Sequence, residues 1–183
     1  MNEPLIRVRK WFFSWQDEKQ ESWLDDMSRK GLHLKGFASF GSFLFEQGPA
    51  REYSYRMDYN RDKPSEDYQQ LILDAGWEHL GERNGWSYWR KEVKSGQASE
   101  IFTDAESKLQ KYQRLFTTYT VSMPAVVAMY IIGVAQFNRF PGRHPQWFVV
   151  TFVILFIGWI VFAILNAVMI QLRMNELKKK QTL

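Results

Sequence analysis

Cysteine is absent from all 183 residues of the chain, and histidine occurs only three times. The absence of cysteine excludes disulfides, thiol catalysis and thiolate metal sites, and it is typical of proteins in a reducing cytosol. The chain also lacks a phosphate-binding glycine loop, a paired-histidine metal motif and a nucleophile elbow. Asp25 and Asp26 project about 100° apart on a helix, which indicates a solvated face rather than an acid–base pair. We therefore expect no enzyme, no cofactor and no metal, with a shared site of His33 and His79 left open.

Charged side chains are missing from residues 115–138 and from residues 145–172. Each stretch exceeds the roughly 20 apolar residues that cross a bilayer core. The first is the more polar of the two and contains Pro124 and Gly133, which membrane helices tolerate. The sequence predicts transmembrane helices at 115–137 and 147–172. Two buried helices of a soluble bundle are the alternative, but neither stretch has a polar face.

Basic residues flank the two stretches unevenly. Two of them, Arg139 and Arg143, lie in the loop between the stretches, and seven lie on the side of the termini. These seven are Lys108, Lys111, Arg114, Arg173, Lys178, Lys179 and Lys180. The positive-inside rule therefore predicts a multi-pass protein of the inner (cytoplasmic) membrane with both termini in the cytoplasm and a basic tail at 173–183. No signal peptide is expected, because the N-terminal residues are charged and aromatic.

The net charge differs between the two parts of the chain. Residues 1–107 contain 15 Lys and Arg against 19 Asp and Glu, whereas residues 108–183 contain 9 against 1. The high pI of about 9.2 therefore comes from the membrane flanks, where basic side chains contact anionic headgroups. The lipid bilayer is the predicted partner. Nucleic acid is not, because the first part has no basic surface for phosphates.

Two similar patterns follow one another in the first part of the chain. "KGLHLKG" at 30–36 and "AGWEHLG" at 75–81 both combine a helix stop with the start of a strand. The matched glycines are Gly31 with Gly76 and Gly36 with Gly81. This spacing predicts a structural repeat of about 45 residues.

The first pattern predicts a strand at 6–13, then a helix and two further strands. Ser14 with Asp17 forms a capping box at the start of the helix, and Gly31 closes the helix as a left-handed cap. "LHLKGFASF" and "SFLFEQ" are the strands that follow, and they are joined near Gly41.

The second pattern repeats this order. Residues 52–59 alternate as a half-buried strand, and Asp62 with Pro64 opens a helix. The predicted apolar stripe of this helix is Tyr68, Leu71, Ile72 and Ala75. Asn84-Gly85 is a strong hairpin signal. The predicted fold is α+β: a tandem βαββ domain at 1–92, with two helices on an antiparallel sheet or pair of sheets, then a linker and juxtamembrane helix at 93–114.

Aromatic residues are abundant in the first part, which holds six of the eight tryptophans. They either fill the core or form a docking or ligand surface, and both interpretations remain open. Alternation in "WSYWRK" places Trp86 and Trp89 on opposite strand faces, so we expect at least one of these rings to be exposed. The candidate surface residues are Trp11, Trp15, Glu46, Tyr55, Asp58, Trp77, Trp86 and Trp89.

Several segments together resemble the bacterial family of domains of unknown function numbered 2812. They are "WFFSWQDEKQESWLDDMSRKGLHL", "FLFEQGPAREYSYRMDY", "DYQQLILDAGWE" and "WSYWRK", within residues 7–91. The resemblance implies C-terminal hydrophobic spans and a regulatory or membrane-stress setting, because many members are encoded beside PadR-like regulators. The resemblance implies no particular activity.

Two functions follow as hypotheses. The first is a non-enzymatic, membrane-anchored regulatory or accessory module that docks a membrane or regulatory protein partner through an exposed aromatic patch. The second is a sensor like the GyrI-like effector-binding domains, which are also built from tandem βαββ units. It would bind an amphipathic or cationic ligand beside a buried carboxylate; this analogy rests on fold alone. A small hydrophobic ligand and a homo-oligomer are further partners left open.

Overall fold

The computed structural model describes residues 4–59, 66–93, 105–139 and 145–181. The chain divides into two compact units, an N-terminal unit of residues 1–111 and a C-terminal unit of residues 112–183. The described elements are β1 (Ile6–Arg9), α1 (Asp17–Arg29), β2 (Leu32–Ala38), β3 (Ser42–Gln47), β4 (Tyr53–Tyr59), α2 (Glu66–Asp74), β5 (Glu78–Arg83), β6 (Trp86–Glu92), α3 (Ala105–Arg139) and α4 (Gln146–Gln181).

The N-terminal unit contains two βαββ repeats, as predicted. The first repeat forms a three-stranded sheet in the order β1-β3-β2, and the second forms a sheet in the order β4-β6-β5. Every strand pairing in both sheets is antiparallel. The predicted α+β fold is confirmed, in the form of two separate sheets.

Glycines end the helices of both repeats in the same way. Gly31 follows α1 with φ +79°, and Gly76 follows α2 with φ +83°. This left-handed conformation favours glycine because it has no Cβ. A Cβ at Gly31 would lie 2.5 Å from the carbonyl oxygen of Gly48, so this position also requires glycine for space.

The matched strands β2 and β5 share a bulge at the same point. The register shifts between Leu34 and Gly36 in β2, and between His79 and Gly81 in β5. The hairpin after the bulge is one residue shorter in the second repeat, where Asn84-Gly85 forms the turn with both φ angles positive. Such a turn matches the twist of the flanking strands.

The start of the first repeat differs from the prediction. β1 ends at Arg9, and the following residues form a loop before α1. The predicted capping box is wrong: Gln16 is the N-cap residue, and its side chain makes no cap hydrogen bond. Its Oε1 instead accepts the N–H of Phe13, while its own N–H donates to the Phe13 carbonyl. The helix therefore begins two residues later than the predicted capping box would place it.

The second helix buries less of its predicted stripe than expected. Ile72 is buried against Trp77 and Trp89, with Tyr68 packed beside them. Leu71 is 68% exposed, and Ala75 is exposed as well. The stripe prediction is wrong at these two positions, because α2 contributes only the Ile72 side to the core. Asp62 and Pro64, the predicted start of this helix, lie outside the described residues.

Helix α1 packs against β2 of its own repeat and against β4 of the next. Its buried face includes Leu24, which is 0% exposed, as are Leu34 and Phe45 of the first sheet. Trp23 lies 5.0 Å from Phe43 and packs edge-on against it. One helix therefore connects the two sheets into a common core.

The C-terminal unit consists of α4 and most of α3. Both helices are long and apolar enough to cross a membrane, over Lys108–Arg139 and Gln146–Lys179. In the most apolar 18-residue stretch of each helix, 0% and 6% of the residues are buried, whereas the core helix of a soluble protein is mostly buried. The rings of Tyr130 and Phe156 stack at 3.6 Å between the helices. The predicted apolar helices are confirmed, and Pro124 lies inside α3 without ending it.

Candidate functional site

Three exposed aromatic rings belong to a loop and a hairpin tip that meet at the end of the first sheet. Trp11 is 71% exposed, Phe13 is 48% exposed and Phe40 is 76% exposed. We call these three residues the aromatic corner. Single exposed apolar side chains are common on protein surfaces, but neighbouring large rings indicate an interaction site.

A hairpin tip and a loop form the aromatic corner. The N–H of Lys10 donates to the carbonyl of Gly41 at 3.1 Å, which joins the loop to the hairpin between β2 and β3. The indole of Trp11 covers Gly41 so closely that an added Cβ would lie 3.0 Å from the ring. Phe40 precedes this glycine in the chain and has φ +56°, which is uncommon for a residue with a side chain. The backbone at this tip therefore holds a large ring in solvent.

Ring contacts hold the loop that carries Trp11 and Phe13 in place. Phe13 stacks on Trp15 with a centroid distance of 4.7 Å and an angle of 3° between the rings. Phe12 points the other way and packs against Trp23 at 5.5 Å. The alternation of inward and outward rings fixes the loop to the core and orients the corner towards solvent.

The surroundings of the aromatic corner are basic. Residues 4–16 contain Arg7, Arg9 and Lys10 and no acidic residue, and all three basic residues are exposed. This local charge is opposite to the net negative charge of residues 1–107. The surface therefore combines apolar rings with positive charge, which suits a partner that is apolar and acidic.

A second notable feature is the acidic face of α1, which covers the outer edge of β4. Three side-chain oxygens on this face accept backbone N–H groups of β4. The pairs are Glu21 with Met57 at 2.8 Å, Asp25 with Tyr55 at 2.7 Å and Ser28 with Tyr53 at 3.4 Å. The edge strand of a sheet otherwise leaves every second backbone N–H, the one that points away from the sheet, without a partner. The expectation that Asp25 belongs to a solvated face is wrong, whereas Asp26 is exposed and pairs with Arg29.

A buried ion pair extends this acidic face by one helical turn. The Nζ of Lys111 lies 2.6 Å from Oδ2 of Asp17, and the two side chains are 7% and 1% exposed. The ammonium also donates to the carbonyl of Met57 at 3.4 Å and lies 5.9 Å from the Trp86 ring. Because both charges are buried, removal of either one takes away the nearest opposite charge of the other in a poorly solvated place.

The electrostatics of the acidic face centre on Glu21. The pKa of this carboxyl is raised from 4.5 to about 7, mainly by burial and in part by nearby Asp17. Lys111 and Arg56 oppose the rise by stabilising the ionised form. Burial also raises the pKa of Asp25, against the hydrogen bond from Tyr55. Perturbed carboxyls occur at functional sites and also in structural networks, and here both bond to the backbone.

The tryptophans predicted to form an aromatic surface on the second sheet are buried. Trp77, Trp86 and Trp89 are 4%, 7% and 1% exposed. Trp89 lies in the cluster beneath α2, and Trp86 packs against Tyr59 at 5.3 Å. The expectation that a ring of "WSYWRK" is exposed is therefore wrong, because both faces of β6 are covered.

The other candidate residues lie in separate places. Trp11 belongs to the aromatic corner, and Trp15 is half-buried beneath it. The carboxylate of Glu46 lies on the surface, 3.3 Å from Lys35. Tyr55 and Asp58 are each 1% exposed. The Tyr55 hydroxyl accepts the N–H of Leu34 at 3.3 Å, and Asp58 accepts the hydroxyl of Tyr68 at 2.9 Å. The structure does not bring the eight candidates into one site.

The two described histidines have different environments. His33 is buried, and its Nε2 lies 2.9 Å from the carbonyl oxygen of Pro49. His79 is exposed and packs its ring 4.6 Å from that of Trp89. Across residues 4–59, 66–93, 105–139 and 145–181, no group of three or more His, Asp or Glu is placed to hold a metal ion. His144 lies outside these ranges.

Sequence reasoning missed Phe13, Phe40, Glu21, Asp17 and Lys111. A signal was present for the acids: Asp17, Glu21 and Asp25 follow at intervals of four residues, which places them on one face of α1. No such signal marks Phe40 or Lys111, because their environments depend on distant parts of the chain.

These observations define an α+β protein in which a tandem βαββ domain precedes two helices that are apolar enough to cross a membrane. Residues 16–123 match the family described as Protein of unknown function (DUF2812). The match covers more than half of the chain, so the chain belongs to this family. No curated protein and no solved structure matches the chain.

Proposed function

We propose that the chain is a non-enzymatic, membrane-anchored accessory or regulatory module that docks a protein partner through the aromatic corner. The single observation that carries this proposal is the exposure of three neighbouring rings, Trp11, Phe13 and Phe40, beside a basic strand. Large rings supply much apolar contact area at little cost in side-chain entropy, and they are enriched at protein interfaces.

The proposed membrane arrangement is a multi-pass one in the cytoplasmic membrane. Seven basic residues beside the termini against two in the loop favour both termini in the cytoplasm. The cysteine-free chain allows this to be tested with single cysteines at Asn138→Cys and Asn175→Cys. We expect an impermeant thiol reagent to label position 138 from outside the cell, and position 175 only after permeabilisation. The reverse pattern would contradict the proposed orientation.

Docking can be tested by purifying the full chain from gently solubilised native membranes and measuring what co-purifies in stoichiometric amount. The informative variant combines Trp11→Ala with Phe40→Ala, since both side chains are largely exposed and their loss leaves the core intact. Leu71→Ala is the matched control, because Leu71 is 68% exposed and lies on α2. We expect the partner to be lost from the double variant and retained by the control.

Two results would contradict docking at the corner. One is a partner that both variants retain equally, and the other is recovery of the chain without a stoichiometric partner. Melting curves of the three proteins show whether any loss reflects unfolding. Trp86 and Trp89 are unsuitable for this test, because their substitution disturbs the core.

The sensor hypothesis has less support. It requires a buried carboxylate that is open to a cationic ligand, whereas Asp17 and Asp58 bond to the chain's own Lys111 and Tyr68. These partners occupy the oxygens that a ligand would need. Protein docking is therefore the function that we propose.

A further inference from the structure

The two sheets of the N-terminal unit each have an outer strand at an equivalent position. β1 is the outer strand of the first sheet, and β4 is the outer strand of the second. Each is the first strand of its repeat and, among the described residues, pairs only with the last strand of that repeat. The repeats therefore supply two edges with the same geometry but with different sequences.

The edge of β4 is closed by the chain itself. Glu21 and Asp25 of α1 accept the N–H groups of Met57 and Tyr55, at 2.8 and 2.7 Å. Charge-assisted bonds of this kind are stronger than neutral ones. In this fold, an outer edge is thus covered by a segment that presents carboxylates.

The edge of β1 faces outwards. The N–H of Lys10 donates to the carbonyl of Gly41, on the side of β3. Ile6 and Val8 precede Lys10 by four and two residues, so their N–H groups also point towards β3. Because antiparallel strands alternate, the N–H groups of Arg7 and Arg9 point away from β3. No group among the described residues accepts them, and both side chains are exposed. Within the part of the chain that the structure describes, this edge has outward backbone donors like those of β4 but no helix that covers them.

Charge decides which partner fits this edge. A second copy of the chain paired through β1 would bring arginines beside arginines, and like charges on neighbouring strands are destabilising. A neutral strand would leave both guanidinium groups without partners. An acidic strand supplies carboxylates to Arg7 and Arg9, and backbone carbonyls to the N–H groups.

We propose that a protein partner binds by adding an extended acidic segment to the outer edge of β1, with an apolar side chain of the segment on the aromatic corner. This proposal rests on the docking function and names the chemistry of its partner. The corner follows β1 directly in the chain, so one extended segment reaches both surfaces.

The test uses the full chain in lipid nanodiscs as the target for a display library of random peptides. We expect selected peptides to carry acidic residues at alternate positions. Their affinity should fall about tenfold or more in the variant Arg7→Glu with Arg9→Glu, because two charge-assisted contacts become repulsive. Arg51→Glu is the control, since Arg51 is also basic and half-exposed but pairs with Glu92 of the second sheet.

A backbone measurement separates strand addition from simple charge attraction. Peptide binding should slow the hydrogen exchange of the Arg7 and Arg9 amides in particular, because added strands protect outward N–H groups. Strand addition would be overturned by peptides that need Trp11 and Phe40 but bind the charge-reversed variant with an affinity within about twofold of that for the natural chain. Such peptides would also leave the exchange of the Arg7 and Arg9 amides unchanged. This result would leave docking at the aromatic corner intact. Failure to select any peptide that depends on the corner or on β1 would count against both proposals.

Discussion

Replacing Glu21 with glutamine tests whether its carboxyl is a buried acid at a strand edge. The amide retains an oxygen that can accept the N–H of Met57, which Glu21 accepts at 2.8 Å. The substitution therefore preserves shape and hydrogen bonding while it removes the ability to ionise. The quantity to compare is the difference in unfolding free energy between the variant and the natural chain as pH changes.

The magnitude follows from the pKa of Glu21, which burial raises from 4.5 to about 7. Below about pH 4.5 the carboxyl is protonated in both folded and unfolded chains, so ionisation has no effect on stability. Between about pH 4.5 and 7 the unfolded chain releases its proton first, and the folded state loses stability as pH rises. Above about pH 7 the loss is constant. From about pH 5 to pH 8 it amounts to about 2–3 kcal/mol at 1.36 kcal/mol per pKa unit.

Tryptophan fluorescence during thermal unfolding of the full chain in detergent is a suitable assay, since most tryptophans lie in the N-terminal unit. We expect Glu21→Gln to gain Tm relative to the natural chain from about pH 5 to pH 8, by on the order of 10 °C. Glu46→Gln is the control, because its side chain is 43% exposed. A difference between Glu21→Gln and the natural chain that stays constant over this range would refute the buried-acid interpretation.

Three further tests, with five substitutions in all, probe other parts of the structure by melting temperature. Asp17→Ala should lose about 3–5 kcal/mol, because it removes the nearest carboxylate from a buried ammonium; a loss below about 1 kcal/mol would contradict this. Trp89→Ala should lose about 3–5 kcal/mol from the core, whereas Trp11→Ala should change stability by less than about 0.5 kcal/mol. Equal losses would contradict the assigned burial. Gly31→Ala should destabilise by more than about 1 kcal/mol, while Gly36→Ala, where a Cβ meets nothing within 4 Å, should not; similar Tm values would be the contrary result.

The repeat, its helix ends and its hairpin turn were predictable because they depend on local chemistry. Gly31 and Gly76 end helices at positive φ, and Asn84-Gly85 makes a tight turn, whatever the rest of the chain does. Long charge-free stretches likewise predict apolar helices from composition alone. These signals sufficed for the βαββ order and for α3 and α4.

The burial of the aromatics was not predictable from alternation. Alternation predicts two strand faces, but it does not tell which face is covered by another element. Trp89 is covered by the cluster of Ile72 and Trp77, and Trp86 lies against Tyr59. The exposed rings occur instead on a loop and on a hairpin tip, where periodicity carries no information.

The role of the acids on α1 depends on contacts between distant residues. Glu21 and Asp25 have the spacing of an ordinary solvated face, and their backbone partners lie 36 and 30 residues away in the next repeat. The sequence shows the carboxylates and the edge strand separately, but not that one covers the other. The local pattern is therefore compatible with both a solvated helix and a structural cap.

Charge then distinguishes the two edges that the repeat creates. An acidic helix face covers β4, so the second sheet cannot extend beyond β4 without displacing α1. Arginines on β1 oppose pairing with another copy of the same strand, yet they leave its backbone donors open to an acidic one. The first strand of each repeat thus lies at an edge of its sheet, and the chain covers one of these two strands with carboxylates while it makes the other basic.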